Sequence, residues 1–560
     1  MRMIMKAYLQ DKENRIAAAV FLITMLIACS PLISRYCING HDAEYHLLRI
    51  ESLKEGILMG RPFLKVNVLF FGGAGYASSL FYPDFLLYFP ALLRVCGVGI
   101  NASYHLFIAL CFCLCYGAAC YCTRRMTGSR YAGMAAGVLL TLCQYHMDDV
   151  YIRSAAGEYT AFIFLPFVIY GIYNVLYEEM DRPWALGLGF GGVLLCHTST
   201  FVMCLVLGIA AFLLKWRTFA KKPALIGRVA LTAVFTAAVT VLYWLPVMEQ
   251  LLSAQFYVSI PWMKPVDEAV RFAEVLYPVF PSLGFLLLLF WLPRIFLKKD
   301  VENEKLLGFA DCLTAAGVLF ALLTTDLVPW DRIGSYLSFV QFPWRFFIMS
   351  SVLLSLADAL ILFCCMKRDA GIPLEKVTLL LVLFVMSAGA LTSLSKNTEG
   401  YYDYSDDYYT HQPYTANVIA GEWLPQTVTD ADALVAKSGR LLSDKGETLS
   451  FERVKNAITV TIEKDYAYVD VPFIYYKGYS AYLVKEDGTK TELPVTGEGN
   501  NGFCRVFLGD QMRGSLTVVY DGTFAQGFAM GIFIVAMLEL AGLFLIKKKK
   551  LLKKRKEAAE

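Results

Sequence analysis

Long apolar runs recur along the whole chain, and short polar segments separate them. Most of these runs approach the length of about 20 residues with which an α-helix crosses the hydrocarbon core of a bilayer. We predict spanning helices at 16–34, 102–122, 131–147, 159–177, 184–197, 199–214, 224–247, 282–297, 309–325, 341–365, 374–394 and 527–546. A further apolar segment, 79–97, is interrupted by Pro83, Asp84 and Pro90, and we expect it to enter the membrane without crossing it.

The composition supports this pattern. Hydrophobic residues make up 57% of the chain and charged residues 18%, whereas soluble proteins carry roughly 25% charged residues. The first apolar run, 16–33, is long for the core of a signal peptide, and no clear cleavage site follows it. We therefore expect a retained signal anchor and a multi-pass protein embedded in the lipid bilayer.

Basic residues predict the orientation, because they favour the cytoplasmic side of a membrane. With twelve crossings, every basic cluster falls on the same side, namely 124–125, 215–222, 298–299, 367–368 and the tail 547–556. A complete crossing by 79–97 would place all of them outside. We therefore predict twelve crossings, one re-entrant or interfacial segment, and both termini in the cytoplasm.

The polar region 395–525 then lies on the outer face. Its stretches "AITVTIEKDYAYVDVPFIYY" and "GSLTVVYDG" alternate between apolar and polar residues, and glycine- and aspartate-containing turns separate them. This alternation predicts a small β-sandwich outside the cytoplasm. The remaining segment, 526–560, is expected to form the last spanning helix and a basic cytoplasmic tail.

The first outer loop, 35–78, contains an unusual density of charge in "GHDAEYHLLRIESLKEGI". On a helix, Asp42, His46 and Arg49 share one face at i, i+4 and i+7. Such a face offers a carboxylate to deprotonate a hydroxyl and a guanidinium to hold an anionic head group. The alternative is a solvated amphipathic helix that lies on the bilayer surface.

Other polar residues fall on the same predicted side of the membrane. Arg153 and Glu158 begin one span, Gln341 and Arg345 begin another, and His197 interrupts an apolar run. Ionisable residues at membrane depth are costly and often functional. The alternatives are helix capping, an interfacial aromatic belt around "QFPWRFF", and a packed, hydrogen-bonded histidine.

Several functional classes lack their sequence signals. No P-loop, no GxGxxG between a strand and a helix, and no zinc-binding Cys/His spacing occurs, and most of the 15 cysteines lie in apolar runs, where they are expected to pack. Nucleic acid is not an expected partner. The predicted cytoplasmic loops are too short to hold an ATPase domain or a nucleotide-sugar transferase domain. An activity on the outer face would therefore need an activated donor delivered by the membrane.

The loop motif "GHDAEYHLLRIESLKEGI", followed by "GYASSLFYPDFLLYFPALL", resembles the first outer loop of the GT-C fold bacterial membrane glycosyltransferases. With "YIRSAAGEYTAFIFLPFVIYG", "YWLPVMEQ", "QFPWRFF" and "GEWLP", the chain is similar to the YfhO-like proteins and to the membrane proteins labelled "6-pyruvoyl-tetrahydropterin synthase related". The resemblance implies a polytopic α-helical membrane protein with about 12–13 transmembrane helices and a C-terminal extracytoplasmic β-sandwich. Residues 1–394 would form the GT-C-like catalytic domain.

The same resemblance implies a function. A polyprenyl-phosphate-linked sugar would donate its sugar to a cell-envelope polymer or glycan by a single inverting displacement, at the outer face of a bacterial cytoplasmic membrane. Asp42 would be the general base. Either an arginine or a divalent cation, Mg or Mn, would neutralise the developing phosphate charge; Asp42 and Glu158 could share such a cation, but no tight ligand motif indicates one. The expected substrate-binding residues are His46, Arg49, Arg153, Glu158, His197, Gln341 and Arg345.

Two other functions compete with this one. A transporter or flippase of a lipid-linked saccharide would also have many spans and a polar outer cavity. Transporters, however, often contain internal repeats, and none is visible between the two halves of this chain. A structural protein that binds wall polymer through its sandwich would leave the charged first loop without a role.

Overall fold

The computed structural model describes residues 11–260, 268–298, 303–366, 374–396, 400–404, 421–509 and 512–557. The chain divides into two compact units. Unit 1 comprises Met1–Glu51, Asp84–Thr232 and Pro261–Thr410. Unit 2 comprises Ser52–Pro83, Ala233–Ile260 and His411–Glu560.

The described helices follow the apolar runs of the sequence. The first ten are α1 Lys12–Ala28, α2 Ala43–Leu58, α3 Ser78–Phe81, α4 Tyr88–Val95, α5 Ile100–Thr127, α6 Arg130–Thr141, α7 Gln144–Tyr151, α8 Ala156–Ala161, α9 Leu165–Tyr177 and α10 Pro183–Leu194. They are followed by α11 Thr198–Leu214, α12 Trp216–Ala220, α13 Pro223–Val239, α14 Val241–Ser253, α15 Leu286–Trp291, α16 Glu304–Leu322, α17 Trp330–Ile333, α18 Phe347–Met366, α19 Leu374–Lys396, α20 Ala433–Lys437 and α21 Phe524–Glu557.

Among the described residues, six helical stretches are long and apolar enough to cross a membrane. They are Ile100–Thr127, Ala156–Tyr177, Glu304–Leu322, Pro343–Met366, Leu374–Lys396 and Phe524–Lys549. A seventh exists if α13 and α14 form one span, although they are bent by 76°. The chain is therefore a multi-pass α-helical membrane protein. The count of twelve crossings stays a prediction.

The other expected spans contain shorter helices. The stretch 131–147 is divided where α6 ends at Thr141, and 282–297 holds only the short apolar helix Leu286–Phe296. Segment 79–97 contains the short helix Phe85–Val95, which is half the length of an ordinary span. Hydropathy located these apolar segments, but it did not locate the breaks within them.

The core of unit 1 surrounds α18. All of the apolar window of Pro343–Met366 is buried inside the protein, where α18 packs against α16 and α6. A helix that is apolar on every side is expected at the centre of a helical assembly. Two short strands, β1 Cys37–Ile38 and β2 Tyr401–Tyr402, pair antiparallel in the same unit, with Cys37 opposite Tyr402.

Unit 2 carries the β-structure that the alternating sequence predicts. Its strands are β3 Leu441–Ser443, β4 Thr448–Leu449, β5 Phe451–Val454, β6 Ala457–Ile462, β7 Tyr468–Ile474, β8 Tyr479–Val484, β9 Lys490–Leu493, β10 Val495–Thr496, β11 Phe503–Phe507 and β12 Gly514–Tyr520. They form two five-stranded antiparallel sheets, in the orders β10-β11-β7-β3-β4 and β5-β6-β12-β8-β9.

The buried faces of these sheets follow the period of two in the sequence. On β6, Ile458, Val460 and Ile462 are buried at alternate positions. The ring of Phe473 on β7 stacks on that of Tyr479 on β8, with ring centroids 5.3 Å apart, and so connects the two sheets. The expected C-terminal β region is present. Of the predicted range 395–525, residues 397–399, 405–420 and 510–511 lie outside the described residues.

Candidate functional site

Five ionisable side chains of unit 1 form one connected group, which we call the charge cluster: Asp42, Asp149, Arg153, Glu158 and Arg345. The guanidinium of Arg153 lies 3.0 Å from Asp149, 2.5 Å from Glu158 and 3.9 Å from Asp42. Arg345 Nε lies 2.9 Å from Glu158 Oε1. Two guanidiniums therefore connect three carboxyl groups that come from distant parts of the sequence.

The break between α7 and α8 creates this arrangement. After α7 ends at Tyr151, Ser154 adopts a left-handed conformation with φ of 54°, and α8 begins at Ala156. This turn brings Arg153 and Glu158 together, and Arg153 also reaches Asp149 one helical turn earlier. A run of apolar residues alone does not predict such a turn.

Backbone hydrogen bonds join Asp42 to the same turn. The backbone N–H of His41 donates to the carbonyl of Ile152 at 3.0 Å, and that of Asp42 donates to the carbonyl of Arg153 at 2.8 Å. Gly40 permits this close approach, because a Cβ atom there would lie 2.2 Å from Ser154 Oγ. The position of Asp42 is thus determined by backbone contacts.

Asp42 is the most accessible carboxyl group of the charge cluster. Its side chain is 22% exposed, whereas those of Asp149 and Glu158 are 0% and 1% exposed. Burial raises the pKa of Asp42 above the ordinary aspartate value, although Arg153 and Arg345 oppose this shift. Burial and the neighbouring Glu158 also raise the pKa of Asp149, which therefore favours its protonated form. Asp42 is the carboxyl group that a ligand can reach.

Both oxygens of Glu158 have protein partners. Oε1 accepts from Arg153 and lies 2.9 Å from Arg345 Nε in an ion pair, and Oε2 accepts from the hydroxyl of Tyr145 at 3.2 Å. The sequence left open whether arginine or a divalent cation shared by Asp42 and Glu158 neutralises charge here; in the structure, the guanidinium of Arg153 lies 3.9 Å from Asp42 and 2.5 Å from Glu158. In the described part of the chain, no group of three or more His, Cys, Asp or Glu residues is arranged to hold a metal ion.

Aromatic rings border the charge cluster. The guanidinium carbon of Arg153 lies 4.3 Å from the ring centroid of Trp344, a cation–π contact. Trp344 stacks on Phe342 at 4.9 Å and meets the edge of Phe280 at 5.5 Å. His41 in turn contacts Phe280, with centroids 6.1 Å apart. These rings provide an apolar surface beside the charged groups.

Gln341 positions Arg345 through a strained turn. Gln341 has φ of 65°, and the N–H of Phe342 donates to the carbonyl of Val340 at 2.9 Å, which defines a γ-turn centred on Gln341. The side-chain oxygen of Gln341 accepts a hydrogen bond from Arg345. Backbone strain of this kind is concentrated at functional sites. No sequence signal predicted this turn.

The alternative of a solvated helix does not hold for the polar face of α2, since His46 and Arg49 are each 1% exposed. His46 Nε2 accepts from the backbone N–H of Ala156 at 3.2 Å, and Arg49 forms an ion pair with Asp84. Burial and the positive charge of Arg49 hold the pKa of His46 well below its usual value, so the ring is neutral. His46 therefore stabilises the start of α8, and Arg49 forms a buried ion pair with Asp84.

His197 is buried, and its Nδ1 lies 2.8 Å from the hydroxyl of Thr200. This matches the packed, hydrogen-bonded alternative. The sequence interpretation missed Asp149 and Tyr145, although the i, i+4 spacing of Asp149 and Arg153 was a usable signal.

Comparisons with known proteins add little to this geometry. No protein-family model matches the chain. The chain is similar to an uncharacterized protein of Lactococcus lactis subsp. cremoris (strain MG1363), with 22% identity over 335 residues, which cover 56% of this chain and 54% of the relative. The chain therefore spans about half the length of that relative. The resemblance to GT-C glycosyltransferases stays a prediction.

Proposed function

We propose that this protein is a membrane glycosyltransferase that moves a sugar from a polyprenyl-phosphate-linked donor to a cell-envelope acceptor. The observation that carries the proposal is the position of Asp42, a partly exposed carboxyl group beside two guanidiniums and an aromatic surface. This combination offers a base for a hydroxyl, positive charge for a phosphate, and rings for the apolar parts of a ligand.

The proposed reaction is a single displacement. Asp42 takes the proton of the acceptor hydroxyl while the acceptor oxygen forms a bond to the sugar C1. The bond between C1 and the phosphate oxygen breaks, and the polyprenyl phosphate leaves with the electron pair. Arg345, whose side chain is 11% exposed, stabilises the negative charge that develops on the phosphate. Attack opposite to the leaving group inverts the configuration at C1.

The proposed orientation places this site on the outer face of a bacterial cytoplasmic membrane. Its support is the distribution of basic residues, of which the tail 547–556 is the densest cluster. The apolar helices support association with the bilayer, and a donor carried by a polyprenyl chain would reach the protein through the same lipid. The proposed access of a cell-envelope acceptor to Asp42 depends on this orientation.

The decisive test is a transfer assay with the purified full-length protein, a radiolabelled polyprenyl-phosphate-linked sugar and a cell-envelope fraction. Asp42→Asn should abolish transfer while leaving donor binding intact, because the amide retains the shape and loses the basicity. The matched control is Glu55→Gln, a carboxylate of helix α2, which begins directly after Asp42; Glu55 pairs with Lys54. Full transfer by Asp42→Asn would eliminate Asp42 as the base.

A transporter of a lipid-linked saccharide is the second candidate. The observation in its favour is the break at Thr240 between α13 and α14, which are bent by 76°. Discontinuous helices are typical of transporter binding sites. Movement of the labelled lipid-linked sugar across vesicles without its consumption would establish this alternative and reject the glycosyltransferase.

A further inference from the structure

Unit 2 contains a pocket of about 310 Å³, which is within the range of small-molecule sites. Four parts of unit 2 line it: the irregular segment 61–68, Asn456 in the turn between β5 and β6, the sheet residues Tyr479 and Tyr520, and residues 521–526 at the start of α21. Strands and the beginning of a helix therefore supply part of its sides.

An ion pair forms one side of this pocket. Arg61 donates to the carbonyl of Tyr520 at 2.6 Å and to Asp521 at 3.3 Å. The hydroxyl of Tyr482 donates to the other oxygen of Asp521 at 3.1 Å. The Arg61 and Asp521 side chains remain 40% and 36% exposed. Their outer edges therefore offer both donors and acceptors in a fixed geometry.

The turn before α21 supplies an amide. Gln526 donates to the hydroxyl of Tyr520 at 2.7 Å. Gly522 has φ of 91°, and a Cβ atom there would lie 2.8 Å from the side-chain oxygen of Gln526. The turn therefore requires glycine for Gln526 to occupy this position. A second amide, that of Asn456, also lines the pocket.

Lys65 donates a hydrogen bond to a backbone carbonyl of α14 that has lost its usual helical partner. Pro246 lies inside α14 and has no N–H to donate to the carbonyl of Leu242 four residues earlier. Lys65 Nζ donates to that carbonyl at 3.0 Å. Phe63 and the rings of Tyr479 and Tyr520 add apolar surfaces to the same pocket. The polar and aromatic groups are therefore organised without a ligand.

We propose that this pocket binds a saccharide of one or two rings. Sugar hydroxyls both donate and accept hydrogen bonds, and they match a guanidinium–carboxylate pair together with two amides. The apolar faces of sugar rings match the aromatic side chains. An anionic head group fits less well, because Arg61 already pairs with Asp521 and Lys65 already donates to the carbonyl of Leu242.

The location of the pocket favours a ligand at the membrane surface. Asp521 lies three residues before Phe524, with which the apolar helix α21 begins. Saccharide binding depends on the pocket alone. That the saccharide is the acceptor glycan rests on the proposed function.

The test measures binding without any donor. Labelled full-length protein, purified in an amine-oxide detergent because maltosides carry a sugar, is applied to an array of mono- and disaccharides of glucose, galactose, N-acetylglucosamine and rhamnose. The best saccharide is then titrated by calorimetry. Asp521→Asn and Asn456→Ala should each weaken its binding about tenfold or more, because each removes a polar group proposed to contact the sugar hydroxyls.

The matched control is Asp465→Asn, which removes an exposed carboxylate paired with Arg513 elsewhere in unit 2. It should bind as the wild type does, and so should Asp42→Asn, which separates this inference from the proposed reaction. The inference is overturned if the wild type binds no saccharide, if both pocket variants bind as tightly as the control, or if the pocket variants lose only their binding to phosphatidylglycerol vesicles.

Discussion

Replacing Glu158 by glutamine is expected to destabilise the protein by about 3–5 kcal/mol, the usual cost of removing one partner from a buried ion pair. Glu158 is almost fully buried and lies 2.5 Å from Arg153 and 2.9 Å from Arg345. Glutamine preserves the shape and one hydrogen-bond acceptor, but it removes the charge that opposes two buried guanidiniums. The destabilisation therefore comes from uncompensated charge.

The geometry places the expected loss in the lower half of that range. Asp42, at 3.9 Å from Arg153, remains in the variant, and Asp149, at 3.0 Å, ionises more readily once the negative charge of Glu158 is removed, so both compensate part of the positive charge. The matched control is Asp311→Asn. Asp311 accepts from Arg294 at 2.7 and 2.9 Å, but the two side chains are 34% and 18% exposed. Water screens this pair, and its loss should cost about 1 kcal/mol or less.

The assay is unfolding of the purified protein in mixed micelles with an increasing fraction of dodecyl sulfate, followed by circular dichroism. The double variant Glu158→Gln/Arg345→Met should be less unstable than the sum of its single variants, because it removes a charge of each sign. Equal losses for Glu158→Gln and Asp311→Asn, or strict additivity in the double variant, would refute the assigned charge coupling.

Three further predictions concern stability. Gly40→Ala should lower the thermal midpoint through its contact with Ser154, and adding Ser154→Gly should restore most of the loss; a midpoint unchanged by Gly40→Ala would contradict the close approach. Burial raises the pKa of Asp148 to about 7, so its native form holds an extra proton, and stability should fall as pH rises from about 4 to 7. Asp148→Asn should flatten this dependence in melts measured across that range, and an unchanged slope would reject the assignment. Asp358, whose two carboxyl oxygens are buried without a hydrogen-bond partner among the described residues, should be replaceable by valine with a gain of about 1–3 kcal/mol in chemical unfolding, and a loss would reveal a partner.

The helices and strands were accessible from the sequence because their signals are local. Apolar runs located α5, α18 and α19, and alternation over 457–462 located β6. The helix breaks were not accessible, because a break such as the one after Thr141 leaves the hydropathy almost unchanged. The mean hydropathy of a window of about 20 residues hides a short turn within an otherwise apolar run.

The charged residues of the first loop show the limit of periodicity. Asp42, His46 and Arg49 share a helical face, and this pattern is the same whether the face contacts water or buried partners. The partner of Arg49 is Asp84, 35 residues later, and that of His46 is the backbone of Ala156. Such separations are tertiary information, which a local pattern does not contain. The sequence predicted only that Asp42, Arg153 and Arg345 lie on the same side of the membrane. It did not predict that their side chains form one cluster.

The separation of Asp42 from its nearest guanidinium bears on its chemistry. Glu158 lies 2.5 Å from Arg153. A guanidinium this close stabilises the ionised carboxylate and lowers its affinity for a proton, which makes it a poor base. At 3.9 Å, the attraction is weaker, and burial raises the pKa of Asp42 despite the two arginines. A rate that depends on ionised Asp42 should therefore rise with pH through a midpoint above 3.8, its ordinary value. Arg153→Lys, which shortens the side chain and removes the planar fork, should shift that midpoint upward in a pH profile of sugar transfer, since the same positive charge would lie farther from Asp42. A midpoint that Arg153→Lys leaves in place would show that Asp42 is not the titrating base.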